Sequence, residues 1–380
     1  MAASTLEGLD AHPHARAVLA PALPPQGAPS HAYLFHGPAG TGKRGVARAF
    51  AAALLIDGAR HPETVAERVA RDSHPDLTWV RPSGATEMLV ADIEEPVVAA
   101  ATRTPFESRR RVFVIEAAET MNDQAANRLL KTLEEPPQFT HLVLLADRRE
   151  DVLATIASRC QHVRFDPLPA GVVAERLRCA DAGIEQERAL ACARLALGDA
   201  GMAARLAGAE GVVLRERAER LVRCAIAGET AERPWLGLLE LAKAAGAGAG
   251  QRALEALRAE LELLPSKERK RYEREATEAQ RRGERRVRTR TLDEALRVSE
   301  LWLRDLLCVH EGSGELVYAV DRRERLAEDA RGCDGRALTR GMELVADTRL
   351  SLSANVSEEL ALEALAYRLQ ALLAHDAVVA

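Results

Sequence analysis

The amino-acid sequence predicts an α/β domain with a parallel sheet at its N-terminus, followed by two domains that are entirely helical. Three observations support this fold class. Four short β-rich runs all lie in the first half of the chain, a glycine-rich loop follows the first of them, and Ala, Leu, Arg and Glu dominate from Pro167 onward. We expect an α/β domain (1–166), a small helical domain (167–212) and a larger helical domain (213–380).

The four apolar runs are the strand candidates of the α/β domain. They are AYLFHG (32–37), LTWV (77–80), RVFVIE (111–116) and HLVLLA (141–146). Helical patterns separate them, beginning with RGVARAFAAALL after the first run. Short strands that alternate with helices predict a parallel sheet covered by helices on both faces.

Two helices of the last domain have readable N-termini. Thr291 and Glu294 fit a capping box ahead of an apolar stripe that includes Leu296, Leu303 and Leu307. Further along, Asn355 and Ser357 offer N-caps for SEELALEALAYRLQALLA, whose leucines recur along one face. Both patterns predict helices that pack into a bundle.

A basic stretch lies upstream of these two helices. Residues 265–290 contain eleven Lys and Arg against five Glu. One interpretation is a basic helix that touches DNA phosphates, and the other is a solvated helix with i,i+4 ion pairs. The stretch lacks interleaved aromatic residues beyond Tyr272, which favours the solvated helix.

The bulk composition is that of an ordinary globular protein. The chain has 380 residues, of which 47% are hydrophobic and 29% charged, and its formal net charge is -5. This length predicts two or three domains, and the net charge argues against a surface that binds DNA everywhere. Six scattered cysteines without a C-x-x-C pair favour reduced thiols. No apolar run approaches the roughly 20 residues of a membrane span, and the N-terminus lacks a signal-peptide pattern, so we expect a cytoplasmic protein without membrane contact.

A phosphate-binding loop follows the first strand candidate. Residues 37–44 read GPAGTGKR, in which Gly37, Gly42 and Lys43 fit the G-x-x-x-x-G-K motif and Gly40 lies between them. Glycines let backbone N–H groups crowd around phosphate oxygens, and the lysine reaches the terminal phosphates. The pattern between a strand and a helix is specific, and it predicts a nucleotide site.

Two positions that an ATPase needs have changed. The residue after the loop lysine normally gives a hydroxyl to Mg²⁺, but here it is Arg44, whose guanidinium has no lone pair to offer. The run RVFVIEAAET is the best candidate for the strand that ends in catalytic carboxylates, and its pair is Glu116 and Ala117. Glu116 could reach a metal, whereas alanine cannot orient water. The sequence predicts weak or vestigial ATP or ADP binding, and the binding itself stays open.

Further motifs give a resemblance to a known family. The segment NDQAANRLLKTLEEPP (122–137), which ends in the LLKTLEEPP block (129–137), and the Ser158-Arg159-Cys160 triplet follow the phosphate loop in the order and spacing of the clamp-loader branch of the AAA+ ATPases. Within that branch, the altered Walker residues resemble the delta prime subunit family of bacterial DNA polymerase III. The likeness covers most of the chain and is weakest at 55–105 and 210–290. It implies an AAA+ domain, a helical lid and an all-α collar for oligomerisation.

The resemblance also implies partners and a role for Arg159. Loaders of this family are hetero-pentamers with gamma/tau and delta subunits, and they open the sliding clamp and set it on primed DNA within the DNA polymerase III holoenzyme. Their ATP sites lie between neighbours, so the arginine of the triplet would reach the adjacent site as a finger. Such an arginine is worth about 10³–10⁵ in rate and can act in trans. The alternative is a structural arginine that pairs with an Asp or Glu.

Two more departures from active relatives are visible. In GDAGMAARL (198–206), Gly201 stands where active relatives have a sensor arginine, and Arg205 is a poor substitute. Many loader subunits also have a four-cysteine zinc module, whereas residues 55–80 contain no cysteine. His61 and His74 alone cannot make a tetrahedral site, so we expect no zinc and expect both histidines in turns or on the surface.

These patterns favour a stator that does not hydrolyse ATP itself and that contributes Arg159 to a neighbour. An active motor-type ATPase that uses Glu116 or Glu119, and an AAA+ scaffold outside replication, are the alternatives. Direct contact with the clamp stays open. We expect Cys160 to be a small packing residue rather than a nucleophile. We also expect the three tryptophans to be core anchors: Trp79, Trp235 and Trp302.

Overall fold

The computed structural model describes residues 9–23, 27–59, 61–83, 87–263, 266–353 and 356–374. Within the long helices of the C-terminal half, the side chains of residues 253, 256–263, 266–276, 278, 279 and 282 are not described. The chain forms two units, which are presented separately. The first comprises residues up to 169 together with 198–200, and the second comprises 170–197 and the residues from 201 onward.

The first unit alternates strands with helices, as the sequence predicts. Its strands are β1 (Ala32–His36), β2 (Leu77–Val80), β3 (Arg111–Ile115), β4 (Thr140–Ala146) and β5 (Gln161–Arg164). Its helices are α1 (Pro13–Leu19), α2 (Lys43–Ile56), α3 (Pro62–Ala70), α4 (Val90–Ile93), α5 (Asp123–Glu134) and α6 (Ala154–Ala157). A π-helical turn (Glu94–Ala99) continues α4, and a short 3₁₀ turn (Ala118–Thr120) follows β3.

The strands of the first unit form one parallel sheet in the order β2-β3-β4-β1-β5. The four strands predicted from the sequence are confirmed, with ends that differ by at most one residue. The fifth, β5, was not predicted because its residues QHVR include only one buried side chain, Val163. It pairs with β1 at the edge, where Phe35 lies opposite Val163.

Two hydrophobic cores cover the two faces of this sheet. One includes Tyr33, Phe35 and Phe50 and is formed with α1, α2 and α3. The other includes Phe113 and is formed with α4, α5 and α6. Successive strand side chains point to opposite faces, so a strand buried on both faces reads as a continuous apolar run. All seven residues of β4 are buried, which explains why its signal was clear.

The second unit is entirely helical within the described residues. Its helices are α7 (Ala170–Ala180), α8 (Gln186–Leu195), α9 (Ala200–Ala207), α10 (Ala209–Ala227), α11 (Trp235–Leu263), α12 (Ser266–His310), α13 (Arg323–Asp329), α14 (Gly335–Ser353) and α15 (Glu358–Leu373). Trp235 and Trp302 are buried in this unit, as expected of core anchors. The separation of a lid (167–212) from a collar (213–380) remains a prediction.

The predicted capping box at Thr291 is wrong. Helix α12 runs without interruption from Ser266 to His310, so Thr291 lies in its interior, and its hydroxyl donates to the carbonyl of Val287. Threonine hydroxyls can bond to the carbonyl four residues earlier, and this contact makes the residue compatible with a helix interior. The stripe after it is buried as predicted at Leu296 and Leu303.

The other helix start of the last domain lies at one of its two predicted N-caps. Ser357 is the N-cap of α15, although its side chain makes no capping hydrogen bond. Asn355 lies outside the described residues. The basic stretch is helical over 266–290, as both interpretations require, and most of its cationic side chains are among those not described. Contact with DNA therefore stays a prediction.

Candidate functional site

The phosphate loop lies between β1 and α2, at the carboxyl edge of the sheet. Gly37, Gly40 and Gly42 all have positive φ, and Gly42 is the left-handed N-cap of α2. A β-carbon at Gly37 would lie 2.0 Å from the carbonyl oxygen of Phe165, so only glycine fits this close approach. The backbone of the predicted phosphate loop is therefore present, with its helix N-terminus.

Lys43 is buried and bonded within its own chain. Its ammonium donates to the carbonyl of Gly37, to that of Pro38 at 2.9 Å, and to Asp147 Oδ1 at 3.0 Å. Asp147 directly follows β4, whose end lies beside the loop in the parallel sheet. The three donors of the lysine therefore have three acceptors, and the lysine would have to exchange some of them to hold a phosphate.

Other residues of the same unit contact the loop. A β-carbon at Gly40 would lie 1.7 Å from Asp199 Oδ1, and the amide of Ala200 donates to the Gly40 carbonyl at 3.1 Å. On the N-terminal side, His12 Nε2 lies 2.6 Å from the carbonyl oxygen of Thr41. Asp199 thus adds a carboxylate close to the phosphate loop. Its negative charge opposes the binding of a phosphate there.

Arg44 directly follows the loop lysine, at the sequence position where an ATPase has its metal-binding hydroxyl. Its guanidinium lies 2.5 Å from Oε2 of Glu116, the residue that directly follows β3. Glu116 is buried, and its other oxygen accepts from Trp79 Nε1 at 2.6 Å and Arg81 Nε at 3.3 Å. Each oxygen of this carboxylate is therefore bound to a donor of the chain itself. Mg²⁺ does not fit this arrangement, because the Arg44 guanidinium neutralises the carboxylate and Arg44 itself stands where the metal-binding hydroxyl residue would be.

The ion pair is part of a larger cluster. Arg48 and Arg81 both bond to Asp72, at 2.6 and 3.1 Å, and the Arg48 guanidinium lies 4.3 Å from the centre of the Trp79 ring. Burial raises the pKa of the Asp72 carboxyl, but the hydrogen bonds from Arg48 and Arg81 outweigh burial, and the net pKa is lowered. Trp79 is only partly buried and bonds to Glu116, so the prediction that it is a simple core anchor is incomplete.

The position of the missing catalytic carboxylate is also visible. Ala117 has left-handed backbone angles, and the 3₁₀ turn that follows brings Glu119 towards the loop. Burial and the neighbouring Asp147 raise the pKa of the Glu119 carboxyl, and Lys43 opposes the shift. Glu119 Oε1 lies 3.4 Å from the amide of Asp147. A carboxylate thus stands near Lys43, although not at the Glu116–Ala117 pair where the sequence analysis looked for the catalytic carboxylates.

Arg159 is tied to a residue of the LLKTLEEPP block. Its NH2 group donates to Glu134 Oε1 at 2.5 Å and its NH1 group to the carbonyl of Thr155 at 3.0 Å. Glu134 is the last residue of α5. The Arg159 side chain remains 36% exposed, so it can still be reached from outside. The pairing predicted as the structural alternative is therefore present, and it does not remove the guanidinium from the surface.

The other two residues of the triplet, Ser158 and Cys160, bond and pack within the same unit. Ser158 Oγ donates to the carbonyl of Thr155, and Cys160 packs in the core formed with α5 and α6. Burial raises the pKa of the Cys160 thiol to about 12. A thiol that stays protonated is a poor nucleophile, which confirms the interpretation of Cys160 as a packing residue. All six cysteines are free thiols.

The residue considered as a substitute sensor is engaged elsewhere. In the second unit, the guanidinium of Arg205 bonds to Glu294 through two nitrogens. Glu294 is a buried carboxylate of α12, and Arg290 lies 3.8 Å from it. This pairing supports the prediction that Arg205 is a poor substitute for a sensor arginine.

One of the two histidines expected in turns or on the surface is not exposed. His61 is exposed and precedes α3, as predicted. His74 lies in the turn before β2 but is buried, with Nε2 3.1 Å from Glu107 Oε1, and its Nδ1 accepts from the amide of Asp76. Burial lowers the pKa of His74 although Glu107 opposes the shift. The prediction that His74 lies in the turn before β2 is confirmed, and it is buried there because Asp76 holds the 106–108 loop, which includes Glu107, beside it.

Sequence reasoning missed several residues around the site. Trp79 and Arg81 come from β2 and its end, and Asp147 follows β4, so the position of these strands in a parallel sheet gives a signal for all three. Asp199 has a weaker signal, because it is far from the loop in sequence. Glu134 was quoted within a motif without a role.

The parallel sheet, the glycine-rich loop between β1 and α2 and the helices on both faces define a P-loop domain of the AAA+ class. Residues 14–169 match the model of a family described as DNA polymerase III, delta subunit. The DNA polymerase III subunit delta' of Bacillus subtilis is 36% identical over 168 residues, or 43% of this chain and 50% of the relative. The same subunit of Pseudomonas aeruginosa is 39% identical over 37% of this chain and 44% of the relative. The resemblance to the delta prime subunit is thereby confirmed for this part of the chain.

Other comparisons are weaker. The DNA polymerase III subunit tau of Bacillus subtilis is 32% identical over 39% of this chain and 27% of the relative. The chain therefore spans half or less of the length of these curated relatives. A gamma subunit-related protein of Thermotoga maritima aligns over 89% of this chain and 94% of its own, at 18% identity and a TM-score of 0.40, and we draw no conclusion from it. Among the described residues, no helix is both long and apolar enough to cross a bilayer.

Proposed function

We propose that this chain is a delta prime-type subunit of a clamp loader, a stator that does not hydrolyse ATP itself and that supplies Arg159 to the ATP site of a neighbouring subunit. Its partners are the gamma/tau and delta subunits of a hetero-pentamer in the cytoplasm, which acts on the sliding clamp and primed DNA. The similarity to delta prime subunits over residues 14–169 supports this assignment.

The observation on which the proposal rests is the ion pair between Arg44 and Glu116. Mg²⁺ is needed to bridge the β- and γ-phosphates and to neutralise charge in phosphoryl transfer. Here a guanidinium lies 2.5 Å from the carboxylate that would face the metal. The site therefore has an internal cation in place of an exchangeable one, and Ala117 supplies no group to orient water.

Arg159 provides the contrasting half of the proposal. Its side chain is more than one-third exposed on a turn whose next residue, Cys160, is fixed in the core. A planar fork of N–H donors suits the developing charge of a γ-phosphate. A subunit can thus lose its own catalysis and still be required for that of its neighbour.

The proposal is tested by DNA-stimulated ATP hydrolysis of a reconstituted loader that contains Arg159→Ala. We expect hydrolysis at the adjoining site to fall by about 10³-fold, the lower end of the range for arginine fingers. The other ATP sites of the ring keep their own arginine fingers. Those sites are therefore inactivated, and single-turnover hydrolysis is measured at the site next to Arg159. The matched control is Arg148→Ala, since Arg148 is an exposed arginine of the same unit, 3.7 Å from Asp151. Equal rates for the two variants would refute the role of Arg159.

Glu119 favours one alternative function, an active motor-type ATPase. This carboxyl has a raised pKa and lies near Lys43 and Asp147, as a displaced catalytic base would. The isolated chain would then hydrolyse ATP, and Glu119→Gln would abolish the turnover. If the purified chain shows no turnover, this alternative fails.

A further inference from the structure

Two motifs that the sequence analysis treated as separate meet on the surface of the first unit. Glu134, from LLKTLEEPP, and Arg159, from the serine-arginine-cysteine triplet, lie 25 positions apart and form an ion pair of 2.5 Å. Both side chains are partly exposed, at 50% and 36%. The resemblance to a family gives the triplet a role, but the role of this glutamate is not explained by the proposed function alone.

The contacts fix the direction of the guanidinium. Glu134 accepts from the NH2 group, and the carbonyl of Thr155 accepts from the NH1 group at 3.0 Å. A third, longer contact joins NH1 to Ser158 Oγ at 3.4 Å. A guanidinium has five N–H donors in a planar fork. Two firm contacts in the plane therefore orient the group and leave donors for a further acceptor.

The two ends of the ion pair are held by buried neighbours. On one side, Leu129 and Leu133 of α5 are buried in the core just before Glu134. On the other side, Cys160 is buried in the same core, and the Arg159 amide donates to the carbonyl of Ile156 at 3.0 Å. The backbone positions of both charged residues are therefore fixed, and only the side chains are adjustable.

We propose that Glu134 is a positioning residue for Arg159 during reaction at the neighbouring site. This inference rests on the proposed function. Arginine has a large rotamer entropy, and a site that catalyses by fixed charge works best when that entropy is lost before the reaction. The Glu134 carboxylate and the carbonyl of Thr155 together hold the Arg159 guanidinium in one orientation.

The opposite interpretation is that the ion pair with Glu134 is inhibitory and keeps Arg159 away from the neighbouring subunit. Partly exposed ion pairs are weak, so this pair biases the orientation of the guanidinium without holding it against a stronger acceptor. The terminal phosphate of ATP has more negative charge than one carboxylate, so Glu134 is a poor competitor for the guanidinium. Positioning therefore explains the pair better than inhibition does.

The test uses the reconstituted loader with Glu134→Ala and Glu134→Gln, measured by the same single-turnover hydrolysis. We expect Glu134→Ala to lower the maximal rate about 3- to 10-fold, with the ATP concentration for half-maximal rate changed less than about 2-fold. Glu134→Gln keeps an oxygen that accepts the NH2 hydrogen bond, and we expect it to restore at least half of the rate. Glu135→Ala is the control, because Glu135 is adjacent and exposed and its side chain makes no hydrogen bond or ion pair among the described residues.

A double variant identifies the route of the effect. If Glu134 acts through Arg159, adding Glu134→Ala to Arg159→Ala produces no further loss. A further loss, a rate equal to that of Glu135→Ala, or a faster reaction would each overturn the inference. Thermal unfolding and pentamer assembly of Glu134→Ala, expected to match those of the control, exclude a folding effect.

The outcomes also separate this inference from the proposed function. A normal rate with Arg159→Ala contradicts the proposed function itself. A slow reaction with Arg159→Ala and a normal one with Glu134→Ala keeps the finger and rejects only the positioning role.

Discussion

Removing Arg44 gives the most direct structural prediction, because it removes one of the three donors to a buried carboxylate. The Glu116 side chain is 5% exposed, whereas that of Arg44 is 73% exposed. Removing one partner of a fully buried ion pair lowers stability by about 3–5 kcal/mol, and a surface pair is worth about 0–1 kcal/mol. Since Trp79 and Arg81 remain bonded to Glu116, we expect Arg44→Ala to lower the free energy of unfolding of the first unit by roughly 1–2 kcal/mol.

A double-mutant cycle isolates the pair. Glu116→Ala removes all three contacts. We expect the loss of stability in the double variant, Arg44→Ala with Glu116→Ala, to be about 1 kcal/mol smaller than the sum of the losses in the two single variants. Because a chain of two units need not unfold in one step, opening is best measured by hydrogen exchange of peptides from β3 and α2. Arg16→Ala is the control, since Arg16 pairs with Asp10 on the surface, and we expect a change under about 0.5 kcal/mol. A coupling under about 0.3 kcal/mol would show that Arg44 does not stabilise Glu116.

Three further predictions concern buried ionisable side chains. Asp76 is fully buried and accepts three amides of residues 106–108, so Asp76→Ala should lower the free energy of opening of the first unit by about 2–4 kcal/mol, measured by hydrogen exchange of that loop. Burial lowers the pKa of His141 from 6.5 to about 4. The contribution of His141 to the free energy of unfolding is therefore full above pH 6.5 and falls as the pH is lowered from 6.5 to about 4. At pH 5 the loss is about 2 kcal/mol, and the stability of His141→Asn should depend less on pH over this range. In the second unit, Arg215 bonds to Asp321 through both terminal nitrogens. Arg215→Ala should lower the free energy of unfolding, measured in urea, by about 3–5 kcal/mol. A smaller loss would mean that water replaces the guanidinium.

Much of the fold was predictable because burial leaves a readable pattern. Strand β4 is buried on both faces and therefore appears as an apolar run, whereas β5 lies at the edge and exposes polar side chains. The loop at 37–44 was recognised because its glycines are required by local geometry, as the close approach of Gly37 to Phe165 shows.

The parts that sequence reasoning got wrong depend on distant packing. Thr291 and Glu294 have the spacing of a helix start, but α12 continues through them, and Glu294 instead bonds to Arg205. Local capping signals describe only one turn of the chain, and tertiary packing can override them. His74 lies in the turn that the sequence predicts, but nothing nearby in sequence shows that it is buried beside the 106–108 loop.

The candidate site was predictable by residue and not by pairing. Arg44 and Glu116 were each identified as departures from an ATPase, but their ion pair joins residues 72 positions apart, which one sequence does not reveal. The same is true of Glu134 and Arg159. The motifs showed that these four residues are present, whereas the structure showed that they form two ion pairs.

ATP hydrolysis by the purified chain in the presence of Mg²⁺ tests the central claim most directly. On the proposed function, the Arg44 guanidinium takes the place of the metal, so we predict a rate equal to that of the Lys43→Ala chain. Turnover by the unaltered chain that Lys43→Ala abolishes would contradict this account.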